Sequence, residues 1–272
     1  MKTILVPVDF SPASYNAVEY AAGMALNTKS KLILFHVYNN TPPALDVPMI
    51  IPTWKEIEKD SIKELKQIKK KIELKYGEGL IIKSTCKSGF IIEEINNFAK
   101  ENKVDLIVMG MQGAGFLQEY LVGSTTTALM RKSHCPVLSI YQGIQFKPLK
   151  KIVLACDYDE LDAESVLLPL KEFVNIFNAN VYVLHVIPEF DLAPTLAERV
   201  KVKRTLAGMR VTFHGIVEGS IVSRINSFVT QHGADMVVMI PRQHLFIDNI
   251  FFEPDTKRMA FHSKVPLLAL HE

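Results

Sequence analysis

Cysteine is scarce: the 272 residues hold three, Cys86, Cys135 and Cys156, and no C-x-x-C pair. An odd count without a disulfide framework fits a reducing, cytoplasmic setting. Each of the three reads as a small core residue rather than a reactive thiol. An excess of one charge is missing too. A formal net charge of +2 leaves no broad basic field to favour nucleic acid. No apolar run approaches the length of a membrane span. The opening MKTILVPVDF carries one Lys and a short apolar run broken by Pro7 and Asp9. That is too short for a signal peptide and reads as a first strand. With 48% apolar residues, the chain has ample material for a core and is long enough for two domains of ordinary size.

Apolar runs alternate with helix-period segments along the chain. Strands are expected over Lys2–Val8, Lys31–Tyr38, Leu80–Cys86, Leu106–Met109 and Val137–Tyr141. Helices are expected over Ala13–Leu26, with Ser11 as N-cap and Pro12 at the first helical position, over Trp54–Tyr76 and over Gly89–Glu101. The segment Asn39–Thr53 holds four prolines and reads as loop; its apolar tip Met49-Ile50-Ile51 either packs against the body, the favoured reading, or covers a ligand. The lysines of the long helix read as a solvated face with Glu partners in preference to a binding patch. Alternation of this kind implies a parallel sheet with both faces covered by helices. Such sheets bind ligands at the carboxyl ends of their strands, where strand order reverses. Asp9 and Gly110 both fall at carboxyl ends of expected strands.

The most informative stretch is Val104–Thr127, VDLIVMGMQGAGFLQEYLVGSTTT. A strand runs into Gly110; a glycine-bearing loop leads to Gly123 and the hydroxyls Ser124, Thr125, Thr126 and Thr127; a helix-like segment, Ala128–Lys132, follows. Glycine permits positive φ and close approach of a ligand. A helix N-terminus offers free N–H groups and the positive end of the macrodipole, a place suited to phosphate. An ordinary N-capped turn accounts for the stretch equally well. The loop is neither a Walker A loop, since no Gly-Lys-Ser/Thr occurs, nor a G-x-G-x-x-G fingerprint, since the third glycine is missing.

After a short linker, Gly143–Lys150, the chain starts again. Lys151–Asp157 echoes Lys2–Asp9, and Val181–Val186 echoes Leu32–Val37. Gly219, Asp235 and Pro266 stand 130 residues beyond Gly89, Asp105 and Pro136. Such a repeat gives two similar domains, 1–143 and 149–272. Where the second copy should repeat Gly110, Gly113, Gly123 and Ser124 it has Ile240, Gln243, Glu253 and Pro254. A carboxylate repels phosphate, and proline removes an N–H. Asp255 stands at the expected helix start and would occupy the anion position itself.

The spacing Gly110-x2-Gly113-x9-Gly123-Ser124, with Val6–Ser11, His36-Val37, Asp105–Gly110 and Ser133–Leu138, resembles the universal stress protein family along the whole first domain. The second domain matches in outline only. The resemblance implies two tandem copies of an open five-stranded parallel sheet with helices on both faces, Rossmann-like and akin to adenine nucleotide alpha hydrolases. It places Pro7, Val8 and Asp9 beside adenine and ribose, and Val37 against the base. Gly110, Gly113, Gly123, Ser124, Thr125 and Thr126 would hold ribose and phosphates of ATP, usually with Mg²⁺. It also implies pairing of domains through the last strand, and a further pairing of chains.

Six of the eight histidines lie in the second domain, but no two are spaced for one helix face, so no metal site is expected. His36 and His185 repeat between the copies and read as structural. For phosphoryl transfer the loop lacks a lysine, and Glu119 is its only carboxylate. The expected function is a nucleotide-binding regulatory protein of the stress response with an unidentified protein partner. The alternatives are a slow ATPase or nucleotidyl transferase, and a nucleotide-independent scaffold.

Overall fold

A computed structural model describes residues 1–38, 53–77, 79–111, 124–156, 164–186, 196–216, 221–240 and 265–271. The first half contributes β1 (Thr3–Pro7), α1 (Pro12–Thr28), β2 (Lys31–Tyr38), α2 (Trp54–Tyr76), β3 (Ile82–Ser88), α3 (Ile91–Glu101), β4 (Leu106–Met111), α4 (Ser124–Lys132) and β5 (Val137–Tyr141). The second contributes β6 (Lys151–Cys156), a 3-10 turn (Glu164–Leu167), α5 (Leu168–Phe177), β7 (Asn180–Val186), α6 (Leu196–Thr205), β8 (Arg210–Ile216), α7 (Ile221–His232), β9 (Met236–Met239) and β10 (Leu267–Ala269).

The strands form one sheet of ten in the order β3-β2-β1-β4-β5-β10-β9-β6-β7-β8. Every neighbouring pair is parallel except β5 and β10. Each half therefore repeats one winding, and the two meet antiparallel at their last strands. Leu138 faces Leu268, Val137 faces Ala269 and Ser139 faces Leu267. The Ser139 hydroxyl also donates to the Leu267 carbonyl (3.3 Å). Because residues 130 apart are equivalent, this register relates the halves by a pseudo-twofold axis at Leu138 and Leu268.

The sheet is buried on both faces, which explains why its strands read as unbroken apolar runs. One core carries Ile4, Val6, Leu32 and Leu34 with α1 and α2, and continues through Ile152, Leu154 and α5. The other carries Leu5, Phe35, Ile107 and Met109 with α3 and α4, and continues through Val153, Val237 and α7. α1 starts where its cap residues set it: the Ser11 hydroxyl accepts from the Ser14 N–H (3.2 Å) and Pro12 opens the helix. α2 starts at a capping box, with Glu56 accepting from the Thr53 N–H (2.7 Å).

Several boundaries differ from expectation by one to four residues. β3 runs two residues later than expected because Gly89 N–H still bonds the Tyr38 carbonyl (3.0 Å). β4 continues through Gly110 to Met111, paired with Ile140 and Tyr141. The hydroxyl run is not a prelude to a helix but the first turn of α4. Trp54, expected on the inward face of α2, is 42% exposed.

Contacts beyond the sheet hold the linker to α1 and tie the two halves. Asn16 Nδ2 donates to the Tyr141 and Ile144 carbonyls (3.2 Å each), and its Oδ1 accepts from Gly143 N–H (3.1 Å). Phe146 of the linker packs edge-on to Tyr20 and lies against Phe177. The N-terminal ammonium pairs with Glu172 of α5. His271 Nε2 donates to the Met130 carbonyl near the end of α4 (2.7 Å). The repeated aspartates are clamps at the opposite end of the sheet. Asp105 accepts from the N–H groups of Lys2 and Thr3 (2.7 and 2.8 Å), and Asp235 from those of Lys150 and Lys151 (2.8 and 2.9 Å).

Candidate functional site

The switch point of the first half lies between β1 and β4, from which the chain winds outward in opposite directions. The ladder between them is short. It pairs Ile4 with Leu106 and Leu5 with Ile107, and then stops. β1 stays paired with β2 as far as Pro7, and β4 with β5 as far as Met111. Pro7 has no N–H to offer β4, so the two strands part at their carboxyl ends and open a crevice. In the second half Ala155 stands where Pro7 stands, and the ladder between β6 and β9 continues through Ala155 and Met239.

Two helix N-termini reach this crevice. Gly110 passes so close to the first turn of α1 that a Cβ on it would lie 2.3 Å from the Ala13 carbonyl oxygen and 2.8 Å from the Ser14 nitrogen. The first turn of α4 is fixed to the same residue, because the buried Thr126 hydroxyl donates to the Gly110 carbonyl (3.2 Å). The positive ends of two macrodipoles thus meet at the end of β4, which favours an anion there. The glycine is explained by helix packing before any ligand is invoked.

The turn leaving β1 is held tightly. Asp9 Oδ1 accepts from the Ser11 N–H (3.0 Å) and hydroxyl (2.6 Å). Burial pushes the Asp9 carboxyl up, but the hydrogen bonds from Ser11 and Ser14 outweigh it and hold the group below the ordinary carboxylate value. Phe10 takes φ 63°, a left-handed conformation costly for a residue with a Cβ. Its ring lies 4.5 Å from that of His36, whose Nδ1 donates to the Val8 carbonyl (2.7 Å). His36 is structural, as its repetition suggests, and binds the end of β2 to the end of β1. Phe10 and Ser11 carry no ligand motif of their own; the short Asp-Phe-Ser-Pro turn was the only signal of a strained corner.

Pro7, Val8, Asp9, Gly110 and Thr126 are therefore brought together around the crevice. Val8 is buried on the α1 face of the sheet, whereas Val37 is half-buried on the α3 face, one strand away. Ser124 opens α4 and Thr125 is half-exposed on its first turn. Gly113, Gly123 and Glu119 lie outside the described residues, as do Gln243, Glu253, Pro254 and Asp255 of the second half. Ile240, the counterpart of Gly110, is buried.

The structure also assembles a group that sequence spacing does not reveal. Tyr182 (β7), His214 (β8), Phe228 and His232 (both α7) stack together, with the imidazoles 5.4 Å apart and His232 3.9 Å from Phe228. Burial and the neighbouring His232 push His214 down. Among the described residues no three His, Cys, Asp or Glu side chains are placed to hold a metal ion. Cys135 and Cys156 are buried and Cys86 is half-buried. Burial, then the charge of Asp105, pushes the Cys135 thiol up to about 12, so it carries no thiolate at neutral pH. No helix of the described residues is long and apolar enough to cross a membrane.

The same architecture recurs among known proteins. The model of the universal stress protein family matches residues 1–140. A universal stress protein of Methanocaldococcus jannaschii is 31% identical over 144 residues, spanning 51% of this chain and 81% of the relative. One of Bacillus subtilis is 30% identical over 146 residues, spanning 50% of this chain and 97% of the relative. A solved universal stress protein from Archaeoglobus fulgidus superposes over 98% of this chain and 97% of its own, with a TM-score of 0.74 at 17% identity, a likeness of fold.

Proposed function

Because the chain belongs to the universal stress protein family, its first 140 residues matching the family model, we propose that it is a nucleotide-binding regulatory protein with one site per chain. The site is the crevice of the first half, residues 1–143. The second half, residues 149–272, is a copy of the same unit that no longer binds and serves as a built-in partner. The observation that carries this reading is the meeting of two helix N-termini at Gly110, beside a ladder that stops two pairs earlier than in the second half.

An adenine nucleotide fits these residues. The phosphates are drawn to the N-termini of α1 and α4, with Ser124 and Thr125 as hydroxyl donors and Gly113 and Gly123 permitting close approach. Thr126 spends its proton on Gly110 and acts by positioning α4. Asp9 offers an acceptor to a ribose hydroxyl, and Pro7, Val8 and Val37 offer apolar contact to the base. Mg²⁺ would enter with the phosphates, neutralising their charge. No lysine stands in the loop to stabilise a transferring phosphoryl group, so the chain reads nucleotide rather than turning it over rapidly. Bound nucleotide changes the surface offered to a protein partner through differential binding to two states.

Gentle purification followed by mass analysis of the molecule released on denaturation tests the reading. ATP or ADP is expected near one per chain. Mg-ATP at about 100 times its Kd should stabilise the chain by roughly 2.7 kcal/mol, and Gly113→Val should abolish the shift. Two nucleotides per chain would restore a site to the second half. None, with no melting shift, would leave the scaffold reading. Rapid hydrolysis lost in Glu119→Ala and Ser124→Ala would make the protein an enzyme instead.

A further inference from the structure

Among the described residues β3 pairs with β2 alone, and none of them pairs with its outer edge. In a parallel pair alternate residues direct both backbone groups to the same neighbour. Leu32 N–H bonds the Ile81 carbonyl (2.8 Å) and Gly89 N–H bonds the Tyr38 carbonyl (3.0 Å), so the odd-numbered residues face β2. Ser84 and Cys86 therefore present their N–H and C=O groups outward. With Thr85 they border a hollow of about 210 Å³ closed by Glu58, Ile62, Leu65 and Lys66 of α2. Through Glu58, Ile62 and Lys66 the hollow continues into an open groove of about 590 Å³ along the outer flank of α2. Lys55, Lys59, Lys63, Lys66 and Lys70 line that groove, and none of them is in an ion pair among the described residues. Ile62, at its centre, is 37% exposed. Among the described residues the second half has no helix to match this flank, since α6 spans 10 residues against 23 in α2.

We propose that the β3 edge and the basic flank of α2 form a docking surface for an extended acidic segment of a partner protein. The segment adds as a strand beside Ser84 and Cys86 and lays alternate Asp or Glu side chains along the α2 lysines. Lysines near a sheet edge ordinarily deter strand addition; here the exposed Lys83 and the α2 lysines admit a strand that brings carboxylates and repel one that does not. Nucleic acid fits poorly, because the described residues lining the groove include no aromatic ring for a base and Glu58 interrupts the lysines. A bilayer presents no backbone groups to an open edge. The surface lies on α2 and β3, apart from the crevice, so its test stands independently of the nucleotide reading.

A fluorescein-labelled peptide of about twelve residues alternating Glu and Val, titrated into the full chain, probes the surface. Saturable binding is expected, weakened at least about tenfold by the triple reversal Lys59→Glu, Lys63→Glu, Lys66→Glu. Ser84→Pro should weaken it as much, since it removes an outward N–H and leaves the β2 ladder whole. Ser84→Val, which keeps that N–H, should bind as the native chain does. In the native chain the Ser84 and Cys86 amides should exchange slowly only when peptide is present, a readout that stands even if Ser84→Pro fails to fold. Full binding by a folded Ser84→Pro variant, unprotected amides, equal affinity for a shuffled peptide of the same composition, or equal affinity for single-stranded DNA or phosphatidylserine vesicles would each overturn the proposal.

Discussion

Gly110→Ala is expected to destabilise the chain by about 3 kcal/mol and to remove the stabilisation by Mg-ATP proposed above. The new methyl carbon would stand 2.3 Å from a carbonyl oxygen of α1, and its neighbours there are backbone atoms with no rotamer to give. Relief requires α1 to withdraw from β4, which moves one of the two helix N-termini off the crevice and strains the Thr126 bond that holds the other. Gly215→Ala is the matched control. Gly215 lies on edge strand β8 without a positive φ, and a methyl carbon added there would meet nothing within 4 Å, so the change should be neutral or slightly stabilising. Denaturant unfolding of both variants, with melting in the presence and absence of nucleotide, reads the difference. A Gly110→Ala chain as stable as the Gly215→Ala chain would show that α1 does not pack where it is placed.

The second large effect is expected at the clamp of the second half. Asp235 is buried and accepts two backbone N–H bonds together with an ion pair from Lys147 (2.6 Å). Asp235→Ala leaves two part-buried N–H donors without their acceptor and should cost about 2 kcal/mol. Asp105→Ala should cost less, because Asp105 is exposed and water can replace it. The Asp235 carboxyl carries a pH signature as well. Burial pushes it up, but the Lys147 side chain and the N–H groups of Lys150 and Lys151 outweigh burial, so its folded-state pKa lies below the ordinary 3.8. Its contribution is therefore present above that value and lost as pH falls through the lower, folded pKa. Asp235→Asn should flatten the acid limb of the stability profile while leaving the Asp105 clamp intact. An unchanged acid limb would place the sensitivity elsewhere.

What the sequence disclosed and what it withheld follow from the range of the forces involved. β2, α2 and β5 fall where their apolar patterns and flanking breakers put them, since a strand buried on both faces and a helix with a capping box are local statements. The repeat was legible for the same reason, and the aspartates 130 residues apart prove to be equivalent clamps. The start of α4 was not legible, because hydroxyl residues suit a cap and a first turn alike and the choice is made by Gly110 across the sheet. The role of Gly110 itself depends on α1, almost a hundred residues earlier. The early end of the ladder at Pro7 could be foreseen only by knowing that β4 is its neighbour. Trp54 has the right period for burial, but it stands at the overhanging start of its helix. The ring group of Tyr182, His214, Phe228 and His232 draws on three elements and has no signature in spacing.

The antiparallel seam between β5 and β10 has a consequence for how the protein meets dilution. Two separate chains joined along such a seam would part as their concentration fell, and every property that depends on the pair would fade with it. Here the partners are tethered, and a short tether sustains an effective concentration on the order of millimolar whatever the abundance of the protein. The pair therefore persists at a few copies as at many, and a change in one member is never averaged over identical mates. One member is free to keep a crevice while the other closes it.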